Sequence, residues 1–298
     1  MLCGALLAPS AAGAVPFSPS SFWNRPLATQ ETLAANSATL ATELNRQVAA
    51  YGTWINTDHY SVPVYTVSAT QPLVKVKLDV NAPALQAYFA AVPLPANARP
   101  AAGYDGHLVV EQPATDTQWE FWVLYKAADG WHARWGAKIA GASRSPGYIA
   151  APYGATATGL PLLGGLLRPA ELTARRIDHA IALGVPNVTA GVFSWPAQRT
   201  DGTVTGPLSL PAGTRFRLPA TLNLDTLGMA PATKAIAVAV QRYGMVVRDT
   251  AGCVCLYAED TTQYGTWPYG TIFGTNWMDG RNALRGFPWN KLQVLAPR

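Results

Sequence analysis

Residues 107–139 read HLVVEQPATDTQWEFWVLYKAADGWHARWGAKI and carry the strongest β-strand signal of the chain. Three runs rich in branched and aromatic residues are separated by two turn-forming segments, PATDT and AADG. We therefore expect antiparallel strands joined by these turns. Because successive side chains of a strand point to opposite faces, the pairing register also decides which side chains lie together.

Pairing Glu111 with Glu120 separates apolar from polar side chains best. One face then collects the apolar residues Leu108, Val110, Trp119, Phe121, Val123 and Tyr125. The opposite face carries His107, Val109, Glu111, Glu120, Trp122 and Leu124, and continuation through the AADG turn adds Trp131 and Trp135. The first face is expected to pack on a core, and the second to offer carboxylates, a histidine and tryptophans.

The rest of the chain mixes helical and strand patterns. Helical signals occupy residues 37–52, with Ser37 as the expected N-cap, and residues 82–92, 168–186 and 230–244. Strand signals include MVVRDT and CVCLYAED, which we expect to pair with each other. We predict an α+β fold, mainly antiparallel β in a sandwich or curved sheet, with three or four packed helices.

Composition indicates an exported protein. The first 14 residues are apolar and end in Ala-Gly-Ala, which is typical of a secretory signal remnant, so residues 15–298 are predicted to form a single secreted β-rich domain. Charged residues make up only 13% of the 298 residues, whereas there are 26 Gly and 24 Pro. No later stretch is long and apolar enough for a membrane span, and we expect an extracellular protein.

The charge and the cysteine content limit the kinds of partner and cofactor that we expect. The net charge of +5 comes from scattered Lys and Arg, without the basic run of a nucleic-acid site. Neither histidines nor cysteines have zinc-ligand spacing, and we expect no metal and no cofactor. Cys253 and Cys255 are expected to be small buried thiols, with a labile bridge as the alternative, since disulfide geometry is strained at that spacing.

The polar face of the hairpin is the candidate catalytic site. Glu120 lies between two aromatic residues, where desolvation would raise its pKa, and we assign it as proton donor. Asp105 or Glu111 is the expected partner carboxylate, and His107 or His179 would assist, with Asp105 able to orient His107. Two alternatives stay open: carboxylates on strands often face solvent or an ion-pair partner, and His179, on an expected helix, would often be a core residue.

Aromatic side chains supply the expected sugar platform. Indole and phenol rings stack on the C–H faces of sugar rings, and carboxylates accept hydrogen bonds from hydroxyls. The substrate-binding set is predicted to be Tyr104, Trp122, Trp131 and Trp135.

Six motifs along the chain carry a resemblance: FSPSSFWNRPL, DGHLVVEQPATDTQWEFW, GATATGLPLLGG, RIDHAIALGVP, FSWPAQRTDG and RYGMVVRD. Together they resemble a family of secreted bacterial, chiefly actinobacterial, proteins of no established activity. The resemblance spans nearly the whole mature chain. It implies export and a single domain, and it transfers no catalytic residue.

These residues favour a carbohydrate-active enzyme that cleaves glycosidic bonds of an extracellular polysaccharide through a carboxylate pair. One alternative is a polysaccharide lyase that acts on a uronate polymer, which the net positive charge favours. Another is a non-catalytic glycan- or wall-binding protein, and a third is a structural or interaction protein with buried aromatics. The substrate sugar and the oligomeric state are left open.

Overall fold

The structure is a computed structural model that describes residues 17–274 and 283–297. The expected signal remnant at residues 1–14 lies outside the described residues. Five α-helices and 16 strands occur in the described part, so the α+β class is confirmed. The helices are α1 (Ser37–Tyr51), α2 (Pro83–Tyr88), α3 (Pro169–Ala174), α4 (Pro231–Arg242) and α5 (Tyr269–Phe273).

The strands are short and form four separate sheets. They are β1 (Thr53–Asn56), β2 (Val62–Thr66), β3 (Val76–Leu78), β4 (Leu108–Gln112), β5 (Thr117–Trp122), β6 (Tyr125–Ala127), β7 (Gly130–Ala133), β8 (Trp135–Ala140), β9 (Ile181–Val185), β10 (Val188–Phe193), β11 (Leu210–Ala212), β12 (Arg215–Arg217), β13 (Met245–Thr250), β14 (Val254–Tyr257), β15 (Glu259–Asp260) and β16 (Gln293–Val294).

Two sheets dominate. One has the strand order β1-β14-β9-β13-β12-β16 and the other β15-β2-β4-β5-β8, while β3-β7-β6 and β10-β11 form smaller sheets. Six of the twelve strand pairs in these sheets are parallel, so pairing is mixed rather than mainly antiparallel. Parallel pairs require long connections, which the helices and loops between these strands provide.

The hairpin of β4 and β5 confirms the expected faces with a different register. Glu111 pairs with Gln118, two residues from the expected Glu120. A shift of two preserves the alternation, so Leu108, Val110, Trp119 and Phe121 still share one buried apolar face.

The expected faces fail after Trp122. Val123 has a positive φ of 53°, which ends β5 and reverses the alternation, so Leu124 joins the apolar face. Trp131 was expected beside Trp122 but lies in the separate three-stranded sheet, where it is buried. Trp135 is the cross-strand partner of Trp122, as the shared face predicts.

The two large sheets pack against each other. Val62 and Val109 of the five-stranded sheet share a buried cluster with Ala182, Val246 and other residues of the six-stranded sheet. Helix α2 covers the outer face of the first sheet, and α1 and α4 contribute to the core behind the second. The expected sandwich therefore has helices on both outer sides.

Two local expectations are wrong. The helix predicted over 168–186 ends at Ala174, where Arg175 adopts a left-handed conformation, and residues 181–185 form the buried strand β9. A short, continuously apolar run fits a buried strand as well as a helix. In addition, β13 and β14 do not pair with each other, because β9 lies between them.

The structure also corrects the expected N-cap of α1 and the expected burial of one of the two thiols. Asn36 is at the N-cap of α1, and the Ser37 hydroxyl instead accepts a hydrogen bond from the Val294 N–H. Cys253 and Cys255 are both free. Cys255 is buried, and Cys253 is only half-buried.

Candidate functional site

An open cleft of about 420 Å³ lies at the end of the hairpin, beside the C-terminal end of β13. Six segments line it: the turn before β4, the ends of β5 and β8 with their tryptophans, the loop 152–157, the segment 199–201 and the end of β13. Its charged and aromatic lining residues are Asp105, His107, Trp122, Trp135, Arg199, Asp201 and Asp249. Three carboxylates and one histidine therefore share one cavity.

A β-bulge directs Asp249 to the cleft. Val247 pairs with Leu183 and Asp249 with the next residue, Gly184, so Arg248 is an extra residue in β13. Without this bulge, strict alternation would turn the Asp249 side chain to the same face as Val247, which packs in the core behind the six-stranded sheet. Bulges of this kind commonly re-aim side chains beside active sites.

The carboxyl group of Asp249 has a pKa well above the usual range of an aspartate. Enclosure by protein raises its pKa to about 7, and repulsion from Asp201 and Asp105 acts in the same direction against the nearby Arg248. One hydrogen bond from the Ala157 N–H reaches Oδ1 at 3.3 Å. The residue keeps partial exposure, so this carboxyl can exchange a proton with a bound molecule at neutral pH.

His107 lies next to these carboxylates in its neutral form. Burial lowers the pKa of its imidazole to about 4, although Asp105 favours the cation. Nδ1 is buried and has no hydrogen-bond partner among the described residues. A buried polar atom without a partner costs free energy, which makes His107 a candidate for contact with a ligand or water.

Asp105 is oriented by Trp122. The indole Nε1–H donates a hydrogen bond of 3.0 Å to Asp105 Oδ1. The backbone carbonyl of Asp105 also accepts from the Val123 N–H, which ties the turn to the end of β5. The indole therefore both lines the cleft and holds a carboxylate in place.

Arg199 holds the loop 152–157, which forms part of the cleft wall. Its guanidinium donates to the backbone carbonyls of Gly154 and Thr156 at 2.9 and 2.7 Å, and also to those of Pro152 and Ala157. The only cationic side chain that lines the cleft within the described residues is thus engaged in holding the loop 152–157. Asp201 is exposed and accepts a hydrogen bond from the Thr250 hydroxyl at 2.8 Å.

Glu120 does not line the cleft, contrary to the proton-donor role expected for it. It is buried, and its two oxygens accept hydrogen bonds from the Ala155 and Leu162 N–H groups at 2.7 and 2.8 Å. Burial raises its pKa, as the sequence suggested, while these bonds and Arg248 oppose the rise. The carboxylate therefore organises the loop behind the cleft.

Arg248 completes this buried network. Its guanidinium donates to the Leu162 carbonyl at 2.9 Å and lies over the ring of Tyr257, 3.9 Å from the centroid. Thr158 donates to the Arg248 carbonyl at 2.7 Å. Side chains thus satisfy the polar backbone of the GATATGLPLLGG segment, which a buried irregular segment requires.

Glu111 and His179 lie away from the cleft. Glu111 is an ion-pair partner of Arg168 at 3.5 Å, which is the alternative considered for it. His179 is buried just before β9, where its Nε2 lies 3.2 Å from a Glu171 oxygen and Nδ1 lies 2.8 Å from the Ala180 carbonyl. Both residues therefore have structural partners, and neither joins the cleft.

The expected aromatic platform is brought together in part. Trp122 and Trp135 line the cleft, and the Tyr104 ring contacts Trp122 edge to face at 6.4 Å. Trp131 is excluded because it is buried beneath Lys126 in the three-stranded sheet.

Asp249, Asp201 and Arg199 are the cleft residues that sequence reasoning missed. Asp249 follows the apolar residues MVV and Arg248, and a charged residue at the end of a buried strand is the signal that could have identified it. No comparable signal marks residues 199–201, because they lie in irregular structure.

Comparison with known proteins gives no match: no protein-family model, no curated protein and no solved structure is detectably similar to the chain. The resemblance to secreted actinobacterial proteins stays a prediction. Among residues 17–274 and 283–297, no group of His, Cys, Asp and Glu has the arrangement of a metal site. In the same part of the chain, each helix is too short or too polar to cross a bilayer.

Proposed function

We propose that this protein is a secreted enzyme that cleaves glycosidic bonds of an extracellular polysaccharide. One observation carries the proposal: Asp249, with a pKa raised to about 7, shares a cleft with Asp105 and two tryptophans. Glycoside hydrolysis needs one carboxyl that holds a proton and one that is ionised, on either side of the bond.

We assign the role of proton donor to Asp249 instead of Glu120. Asp249 would donate its proton to the leaving oxygen as the bond to the anomeric carbon breaks, and it would be reprotonated from water in the next turnover. Asp105, held by the Trp122 indole, is the partner that stabilises the developing positive charge or activates the attacking water. His107, which burial keeps neutral, lines the cleft beside Asp105.

Local charge separates this proposal from a lyase. A uronate polymer needs a cation to neutralise its carboxylate, but three carboxylates line the cleft and the Arg199 guanidinium is bonded to backbone carbonyls. Non-catalytic glycan binding is the second candidate, because Trp122 and Trp135 form a partly exposed aromatic wall. That function would not require a proton-holding Asp249.

The test compares wild type with Asp249→Asn on a panel of neutral and acidic polysaccharides. Products are read by mass spectrometry, and ultraviolet absorbance detects the unsaturated ends that a lyase makes. We expect cleavage of a neutral glycan and a loss of roughly 10²–10⁴-fold in kcat/KM for Asp249→Asn. The matched control is Asp225→Asn, an exposed carboxylate paired with Lys234, which should keep full activity.

Three outcomes would contradict the proposal. Unsaturated products would identify a lyase, and binding without cleavage would leave the aromatic wall as a platform only. Cleavage that survives in Asp249→Asn would remove Asp249 from the mechanism.

A further inference from the structure

Aromatic rings lie on both sides of the cleft and extend beyond each of its two tryptophans. Tyr104 contacts Trp122 at 6.4 Å between ring centroids, and Trp122 is the cross-strand partner of Trp135. Trp135 stacks on Tyr153 at 6.3 Å, and Tyr153 contacts Tyr88 at 5.9 Å. We name these five rings the aromatic row.

The end rings are accessible, and the inner rings are held in place. Tyr104 is 64% exposed and Tyr88 is 43% exposed, although both carry large apolar surfaces. Trp135 Nε1–H donates to the Pro152 carbonyl at 2.9 Å, and the Arg134 guanidinium lies 5.5 Å from the Trp122 ring centroid. Rings fixed in advance lose little conformational entropy when a ligand binds.

The charges along the row select a neutral ligand. Asp105, Asp201 and Asp249 line the cleft, whereas the Arg199 guanidinium is held by the loop carbonyls and the exposed Arg134 lies outside the cleft lining, beside Trp122 and the Tyr104 hydroxyl. An anionic chain would be repelled at this point. A neutral sugar chain offers apolar C–H faces to the rings and hydroxyl donors to the carboxylates.

We infer that the aromatic row is the binding track for an extended, neutral glycan chain that crosses the cleft and continues past Tyr104 on one side and Tyr88 on the other. Internal cleavage of the chain follows if the cleft is catalytic, so that part rests on the proposed function. The binding part does not.

The experiment measures binding in the Asp249→Asn background, where no cleavage should intervene. The probes are trisaccharides and hexasaccharides of β-1,4-linked glucose, xylose, mannose and N-acetylglucosamine, with oligogalacturonate as the acidic comparison. Tyr88→Ala and Tyr104→Ala each remove one end ring. Tyr51→Ala is the matched control, because Tyr51 also ends a helix and is 44% exposed but lies outside the row.

For at least one neutral sugar, we expect the hexasaccharide to bind more tightly than the trisaccharide. Each end-ring variant should weaken hexasaccharide binding by roughly 3–10-fold and change trisaccharide binding by less than about twofold, while Tyr51→Ala changes neither. Wild type should release internal fragments from the polymer of the same sugar.

The results separate the two proposals. Cleavage by wild type without any dependence of binding on chain length, or on the end rings, would overturn the track and leave the enzyme in place. Length-dependent binding without cleavage would leave the track and overturn the enzyme. Tighter binding of oligogalacturonate than of any neutral probe, or no binding of any probe, would also overturn the track.

Discussion

Two carboxylates that lie close to the same loop have opposite surroundings. Glu120 is buried with a backbone N–H on each oxygen, at 2.7 and 2.8 Å. Asp249 receives one longer bond from the Ala157 N–H, at 3.3 Å, and faces two further carboxylates across an open cleft. The first side chain stabilises the loop, and the second is free to bind or exchange a proton.

This difference separates structural from functional charge in the molecule. A buried polar atom with full hydrogen bonding is part of the architecture, whereas one without a partner needs another reason to be present. His107 Nδ1 belongs to the second class, as do Nε and Nη2 of Arg248, whereas Asp249 keeps one hydrogen bond in negatively charged surroundings.

The largest expected effect on stability comes from Glu120→Gln. The new amide group would direct its N–H toward a backbone N–H, and the favourable electrostatic interaction with the nearby Arg248 would be lost, so we expect a loss of about 2–4 kcal/mol in the free energy of unfolding. Denaturant titration measures it. The control, Asp225→Asn, removes an exposed ion pair with Lys234 and should cost less than about 1 kcal/mol. Equal losses in the two variants would remove the distinction between Glu120 and an ordinary surface carboxylate.

The pH profile of glycan cleavage tests Asp249 directly. Because this carboxyl must hold its proton, and its pKa is raised to about 7, kcat/KM should fall roughly tenfold for each pH unit above 7. At the acidic end, His107 should stay neutral until the pH nears 4. A rate that stays constant from pH 6 to pH 9 would exclude Asp249 as proton donor.

Trp122→Phe tests the orientation of Asp105. The change keeps an aromatic ring but removes the N–H that donates to Asp105, so kcat/KM should fall roughly 10–30-fold with little change in melting temperature. Trp135→Phe is the comparison, because its lost partner is the Pro152 carbonyl rather than a carboxylate. A similar loss in both variants would assign Trp122 to the wall of the cleft only.

A gain in stability is expected for Asp249→Asn. The folded-state pKa of about 7 lies above the ordinary Asp value, so the stabilising contribution of the protonated form is complete below about pH 4 and is lost as the pH rises through 7. Asparagine does not ionise. The variant should therefore exceed wild type at pH 8 by at most about 4 kcal/mol, the equivalent of roughly three pKa units, and the difference should vanish at pH 4, as measured by denaturant titration at both pH values. A loss of stability at pH 8 would contradict the repulsion among the three carboxylates.

Local patterns predicted several elements correctly. The helical periodicity of residues 37–52 and 230–244 corresponds to α1 and α4, because amphipathic helices carry their own signal. The hairpin faces were predicted through Trp122, because a register error of two residues preserves alternation. The faces after Val123 and the strand β9 were missed, because a local backbone reversal and a short apolar run leave no clear periodicity.

The site was predicted in part for the same physical reasons. Asp105, His107, Trp122 and Trp135 were found because they belong to the hairpin or its turn. Glu120 was misassigned although its surroundings were correctly expected to be apolar, since the sequence does not reveal that two distant backbone N–H groups bind its oxygens. Asp201 and Arg199 reach the cleft through contacts between segments far apart in the chain.

The sequence by itself determined the α+β class, the two long helices, the alternating faces of the hairpin and the aromatic, carboxylate-rich character of its end. Those properties follow from composition and from periodicities within a few residues. Only the tertiary structure decided that β9 lies between β13 and β14, that a bulge at Arg248 turns Asp249 into the cleft, and that Glu120 is bound by a loop. The physical reason is that hydrogen-bond partners, burial and electrostatic neighbours are set by packing between distant segments, and these contacts decide the role of a carboxylate.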